Sequence, residues 1–341
     1  MSAETEVVVD IRGLTKHYGE VKALTDLDLQ VRRGEVFGYI GHNGAGKTTT
    51  IRILAGLLAP TRGQAHVAGI DATREPVPIR RLVGYLPDQF GVYDQMRVWE
   101  YLDFFGAAFR IPRKKRRDRL EEVLAITDSA DLRDRHVDAL SRGMKQRVGI
   151  ARTLMHDPQV LLLDEPASGL DPRARVQMRQ LLRRLADGGK TLIVSSHILP
   201  ELAEVCDSVG IIHSGVLRAS GPIEEVLAGL TRDRVMEVKA LNGLDKARGI
   251  LDAHPGCRDV KASEEMDNVL NVHFTGDDET LAAVLAELMG AGVQVATFRE
   301  VPFSLEDAYM AVSGLDFGDA DPAEDQPAQT PEAAATSDDS P

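Results

Sequence analysis

Cysteine is nearly missing from this chain: Cys206 and Cys257 are the two among 341 residues. So low a count excludes a disulfide framework and fits a reducing compartment, and both thiols are expected in the core. Long apolar runs are missing too, so no segment is expected to cross a bilayer. The start, Met1 to Glu6, is polar and acidic, which excludes a signal peptide. Bases are in the minority, with 40 Lys and Arg against 53 Asp and Glu, for a formal net charge of −13. Eight of the acids, and no base, lie between Asp316 and Pro341, leaving about −5 for the remainder. That balance argues against a broad nucleic-acid surface, so no nucleic-acid partner is expected. The length suggests two or three domains with an ample core.

What is present begins with Gly41-His42-Asn43-Gly44-Ala45-Gly46-Lys47-Thr48, a full match to the phosphate-cradling pattern G-x-x-x-x-G-K-[ST]. Its glycines let the backbone wrap an anion so that successive N–H groups point at phosphate oxygens. Lys47 supplies a compact positive charge and Thr48 a hydroxyl for Mg²⁺. Val36 to Ile40 reads as a buried strand before the loop. Thr48 to Leu58 reads as a helix after it, with its N-terminus facing the phosphates.

Upstream, Val7 to Leu14 and Val21 to Val31 alternate as strands. Tyr18 lies between them, either as a strand-surface tyrosine or as a ring that stacks on adenine. Downstream, Gln64 to Gly69 and Val83 to Leu86 read as strands. Trp99 to Phe109 and Arg119 to Ile126 have helical spacing, so a helical subdomain over about 97–150 is expected. The basic run from Arg110 to Arg117 reads as a solvated turn between helices, with contact to anionic lipid head groups as the competing reading. Leu140 to Arg147 opens a helix that runs to Met155. Val160 to Leu163 is continuous and apolar, as in a central parallel strand, and ends in Asp164-Glu165. Pro172 enters a further helix. Thr191 to Ser195 is a strand ending at Ser196-His197, and Val209 to His213 pairs with Val216 to Ala219 around Ser214-Gly215.

From Arg234 the pattern restarts as β-α-β-β-α-β: Val235 to Ala240, Leu244 to Ala253, Asp259 to Ala262, Val269 to Phe274, Glu279 to Met289 and Val293 to Phe298. A closing helix follows at Ser304 to Val312. Residues 315–341 are rich in Pro, Ala and Asp and are expected to be disordered. The expected division is a catalytic part over 1–228, a small α+β domain over 229–314 and this tail.

Asp164 closes a buried strand, the usual place for a carboxylate that holds Mg²⁺, and Glu165 beside it is the candidate general base. Residues 7 to about 228 resemble the nucleotide-binding subunit of an ATP-binding cassette (ABC) transporter. The discriminating piece is Leu140-Ser141-Arg142-Gly143-Met144, similar to the family signature Leu-Ser-Gly-Gly-Gln. Arg142 and Met144 depart from that form. The loop after Leu86 departs as well: the usual glutamine position falls on Asp88, with Gln89 one residue later.

The resemblance implies a P-loop ATPase core with an antiparallel β part and a ferredoxin-like C-terminal domain. Catalytic roles fall on Glu165, Lys47 and His197. Nucleotide contacts come from Tyr18, from Gly41 through Lys47, and from Thr48 and Thr49. Ser141, Gly143, Met144 and Asp171 are implied to reach the nucleotide of a partner cassette, in a homodimer or pseudo-dimer. Mg²⁺ would be held by Thr48, Asp164 and either Asp88 or Gln89. The implied partners are separate transmembrane permease subunits, which places the chain at the cytoplasmic face of the membrane. Pro87 to Asp94 and Pro302 to Tyr309 resemble export cassettes of the ABC-2, daunorubicin-resistance type, which handle drugs, antibiotics, lipids or polysaccharides. An importer, or an ABC ATPase acting on ribosomes or DNA, is the alternative.

Overall fold

A computed structural model describes residues 6–89, 91, 95–230, 234–263, 266–301 and 303–313. The expected acidic tail lies outside these residues, as do Tyr93, Asp94 and Pro302 of the export-like motifs. In chain order the elements begin with β1 (Val7–Tyr18), β2 (Val21–Arg32), β3 (Val36–Ile40), α1 (Lys47–Leu54), β4 (Arg62–Val67), β5 (Ile70–Asp71), α2 (Pro76–Leu82) and β6 (Val83–Leu86). Three helices follow, α3 (Val98–Ala108), α4 (Arg113–Ile126) and α5 (Arg142–Leu154). The chain then forms β7 (Val160–Asp164), α6 (Pro172–Asp187), β8 (Thr191–Ser196), α7 (Leu199–Ala203), β9 (Ser208–His213), β10 (Val216–Pro222) and α8 (Ile223–Leu230). It ends with β11 (Arg234–Ala240), α9 (Leu244–Ala253), β12 (Cys257–Ala262), β13 (Val269–Phe274), α10 (Asp278–Gly290), β14 (Val295–Val301) and α11 (Leu305–Ser313).

The central sheet runs β10-β9-β3-β8-β7-β6, parallel throughout except for the β9–β10 hairpin. Its middle strands β3, β7 and β8 are buried along their whole length because both faces are covered. Alternation still sorts their side chains. Leu161, Leu163, Leu192 and Val194 join the core under the helices, whereas Val160, Leu162 and Ile193 join the core under the antiparallel sheet β2-β1-β4-β5. The third sheet, β12-β13-β11-β14, is antiparallel, with α9 and α10 supplying its core. The expected α/β cassette with an antiparallel part and a split βαβ unit is therefore present.

Helix α1 stops at Leu54 rather than Leu58, because Gly56 at φ +64 turns the chain. The basic run is mostly helical: Arg113 to Arg117 open α4, and only Arg110, Ile111 and Pro112 connect. Lys and Arg are good helix formers, and Pro112 marks the start. Strand β14 begins two residues later than expected, after the buried Val293. Helix α2, with two prolines in its first turn, was not assigned from the sequence. Both cysteines are free thiols, as expected.

Candidate functional site

Strand order builds the site. β3, β8, β7 and β6 lie side by side and parallel, so the residues after their C-terminal ends meet at one edge: Gly41, His197, Glu165 and Asp88. Ligands in open α/β sheets bind at such an edge.

The loop after β3 depends on close backbone approach. A Cβ on Gly41 would lie 2.5 Å from the Ile212 carbonyl oxygen of β9. Gly46, at φ +113, is the N-cap of α1, and Gly44, at φ +82, faces open space. Lys47 is buried, and its ammonium donates to the carbonyls of Gly41 and, at 3.3 Å, His42. The P-loop thus folds onto its own lysine. Thr48 and Thr49 are half-buried on the first turn of α1.

At the end of β7, Asp164 is 2% exposed and accepts a 2.6 Å hydrogen bond from the Ser195 hydroxyl. The Glu165 amide donates to the same hydroxyl at 3.1 Å. Glu165 itself has φ +51, a left-handed conformation that costs about 1–2 kcal/mol outside glycine. That turn carries its carboxylate between two partners. Oε1 lies 3.3 Å from Lys47 Nζ, and Oε2 lies 2.8 Å from His197 Nδ1.

Asp88 is half-buried and Gln89 exposed. Burial pushes the Asp88 carboxyl up, Arg142 pulls it down, and Glu165 and Asp164 push it up again, for a net rise. Its Oδ1 is shut off from solvent with no hydrogen-bond partner among the described residues. Among the described residues no cluster of three His, Cys, Asp or Glu could hold a metal by protein ligands alone. Mg²⁺ does not need one, since it keeps waters and phosphate oxygens around one or two carboxylates. The orphaned Asp88 oxygen, the Asp164 carboxylate and the Thr48 hydroxyl are hard oxygen donors that fit it.

Ser141, Gly143 and Met144 of the signature lie elsewhere, together with Asp171. Ser141 caps α5, its hydroxyl accepting from the Met144 amide at 3.4 Å, and Asp171 caps α6, accepting from Ala174 at 2.9 Å. Ser141, Gly143, Met144 and Asp171 line a shallow depression of about 140 Å³ with Arg147 and Arg173, and no P-loop residue shares it. Tyr18 is 47% exposed, with the Lys16 ammonium 5.1 Å from its ring centroid.

Three features escaped the sequence reading. Ser195 tethers Asp164 to β8, and a buried serine ending an apolar strand was its signal. Arg142 reaches Asp88, Nη2 to Oδ1 at 4.0 Å. Tyr309 of α11 approaches His213 at 6.4 Å between ring centroids, and His213 lies 5.0 Å from His42 of the P-loop.

Comparison with known proteins matches this geometry to a family. Residues 24–168 fit the ABC transporter model, and residues 221–313 fit the model for the C-terminal domain of DrrA1-3-like ATP-binding proteins. An uncharacterised ABC transporter ATP-binding protein of Synechocystis sp. is 36% identical over 85% of this chain and 78% of its own. The daunorubicin resistance ATP-binding protein DrrA3 of Streptomyces coeruleorubidus is 32% identical over 92% and 98%. The chain belongs to the ABC transporter ATP-binding proteins. The solved structure of cbiO1 from Clostridium perfringens, part of the ABC transporter complex cbiONQ, superimposes with a TM-score of 0.60. It is 29% identical, over 65% of this chain and 91% of that one. The cassette binds ATP and couples its hydrolysis to transport, within the exporter branch of the family. Among the described residues no helix is long and apolar enough to cross a membrane.

Proposed function

We propose that this ABC cassette hydrolyses ATP at the edge formed by β3, β8, β7 and β6, and drives an ABC-2-type permease that exports a drug, antibiotic, lipid or polysaccharide. The observation that carries the reading is the placement of Glu165 between Lys47 and His197. Lys47 pairs with Glu165. A γ-phosphate draws Lys47 to itself, and Glu165 is left as the base that takes a proton from the attacking water. His197 holds the other carboxylate oxygen and orients it. Ser195 fixes Asp164 and the Glu165 backbone together, so the two carboxylates keep separate roles. Mg²⁺, held by Thr48, Asp164 and Asp88, would neutralise charge on the phosphate oxygens. Asp88 fits that role better than Gln89, because it is half-buried, carries an orphaned oxygen and feels the Asp164 and Glu165 charges, whereas Gln89 is exposed.

Ser141, Gly143, Met144 and Asp171 form a second site on a separate face, which supports a partner cassette as the owner of the nucleotide they contact. The separate third sheet supports a division into a catalytic part over 1–228 and a C-terminal domain over 229–314, with α11 packed back onto the core of the first part. The permease is a separate membrane protein, and the cassette works at the cytoplasmic face beside it. Light scattering of Glu165→Gln with Mg²⁺ and ATP tests the pairing. The expected result is a dimer that Ser141→Arg dissolves; a monomer under saturating ATP would reject it. Co-purification with a membrane protein of about six apolar spans tests the partner.

A further inference from the structure

Arg142 and Asp88 lie far apart in the chain and meet at the edge of the site. We infer that Arg142 is a positioning residue for Asp88: its guanidinium, seated against Gly169, attracts the Asp88 carboxylate and competes with Mg²⁺ for it. The inference rests on the reading of Asp88 as an Mg²⁺ ligand given above.

The seat is specific. Gly169 has φ +65, and a Cβ there would lie 2.7 Å from Arg142 Cζ and Nη1 and 3.0 Å from Nε. The guanidinium therefore occupies the space that any side chain at 169 would take. From this seat Nη2 points at Asp88 Oδ1 at 4.0 Å. That separation leaves the oxygen without a hydrogen bond, and no other described residue satisfies it. The lone pair stays available while the charge is held.

Asp88 needs a cation nearby. It feels both Asp164 and Glu165, and Lys47 already faces Glu165. Arg142 is the attractive charge of greatest weight on Asp88, ahead of His197. The two side chains are 54% and 43% exposed, so their attraction is screened and small. A small, exchangeable attraction suits a carboxylate that must pass from a guanidinium to a divalent ion. Arg142 in this reading raises the Mg²⁺ concentration the cassette needs, and links three segments to that event: the loop after β6, the start of α5 and the loop after β7.

The test is Mg²⁺ titration of fluorescent ATP-analogue binding to the full chain, read as the half-saturating Mg²⁺ concentration. Arg142→Gln removes the competing charge and is expected to lower that concentration by about twofold to fivefold. Arg142→Lys keeps the charge and should stay near the parent. In an Asp88→Gln background the Arg142→Gln shift should vanish. Gly169→Ala, which pushes the guanidinium off its seat, should shift the parent in the same direction as Arg142→Gln. An equal Arg142→Gln shift with and without Asp88 would overturn the inference. So would no shift at all, or Arg142→Lys behaving like Arg142→Gln. Analogue binding in EDTA separates this from the underlying reading. If the parent binds nothing with or without Mg²⁺, the ATP site is wrong; if it binds equally in both, the Asp88 assignment falls alone.

Discussion

Glu165→Gln separates the two tasks of that carboxylate, because Glu165 is also the counter-charge of a buried lysine. Side-chain exposures of 6% for Lys47 and 12% for Glu165 put the pair largely out of water. Removing one partner of a buried pair costs about 3–5 kcal/mol when nothing replaces it. Here the glutamine still accepts a hydrogen bond, and Lys47 keeps the Gly41 and His42 carbonyls. The expected loss is therefore smaller, about 1–2 kcal/mol, or about 2–6 °C in Tm. ATP should erase it, because phosphate oxygens replace the lost charge. Turnover, which needs a base, should fall by about 10²–10⁴ while nucleotide still binds. Thermal melts with and without ATP, beside steady-state phosphate release, read both effects. Hydrolysis at the parent rate would refute Glu165 as base. An unchanged melt of the empty protein would refute the Lys47–Glu165 pair as a stabilising contact.

Other perturbations test separate parts of the argument. Gly41→Ala places a methyl 2.5 Å from the Ile212 carbonyl, a backbone atom with little room to yield. A loss of about 1–3 kcal/mol in denaturant unfolding, with weaker nucleotide binding, is expected. His156 stacks on Phe109 at 3.8 Å and is held mainly neutral by burial, its pKa lowered to about 4 from 6.5. The unfolded chain takes up that proton first as pH falls, so stability is full above pH 6.5 and drains between 6.5 and 4. Urea unfolding at pH 5 against pH 7.5 should show a loss from this group of about 2 kcal/mol that is missing in His156→Gln. Tyr309→Ala should loosen α11 and weaken ATP binding a few-fold through His213 and His42; unchanged affinity by titration calorimetry would sever that connection.

The P-loop, the Asp164-Glu165 strand end and His197 were legible because each sits at the end of an apolar run, where local pattern and chemistry coincide. Their convergence was not, since strand order depends on pairing between segments far apart in the chain. The same reason hid Ser195 and Arg142, whose partners lie on other strands and loops. Spacing placed the loop position on Asp88 while residue type favoured Gln89, and burial separates the two. The basic run misled because five charges in a row resemble a solvated loop, whereas Leu120, Val123 and Leu124 further along anchor it as α4. The C-terminal β-α-β-β-α-β order was legible because each of its strands alternates over a short stretch.

The third sheet leaves the central body through α8 and returns through α11, and these two helices pack against each other and against β9. It is a handle bolted at both ends, not a pendant. β9 borders the phosphate-loop strand and presses Ile212 over Gly41. Both ends of the third sheet are thus fixed beside the strand that rims the nucleotide cradle.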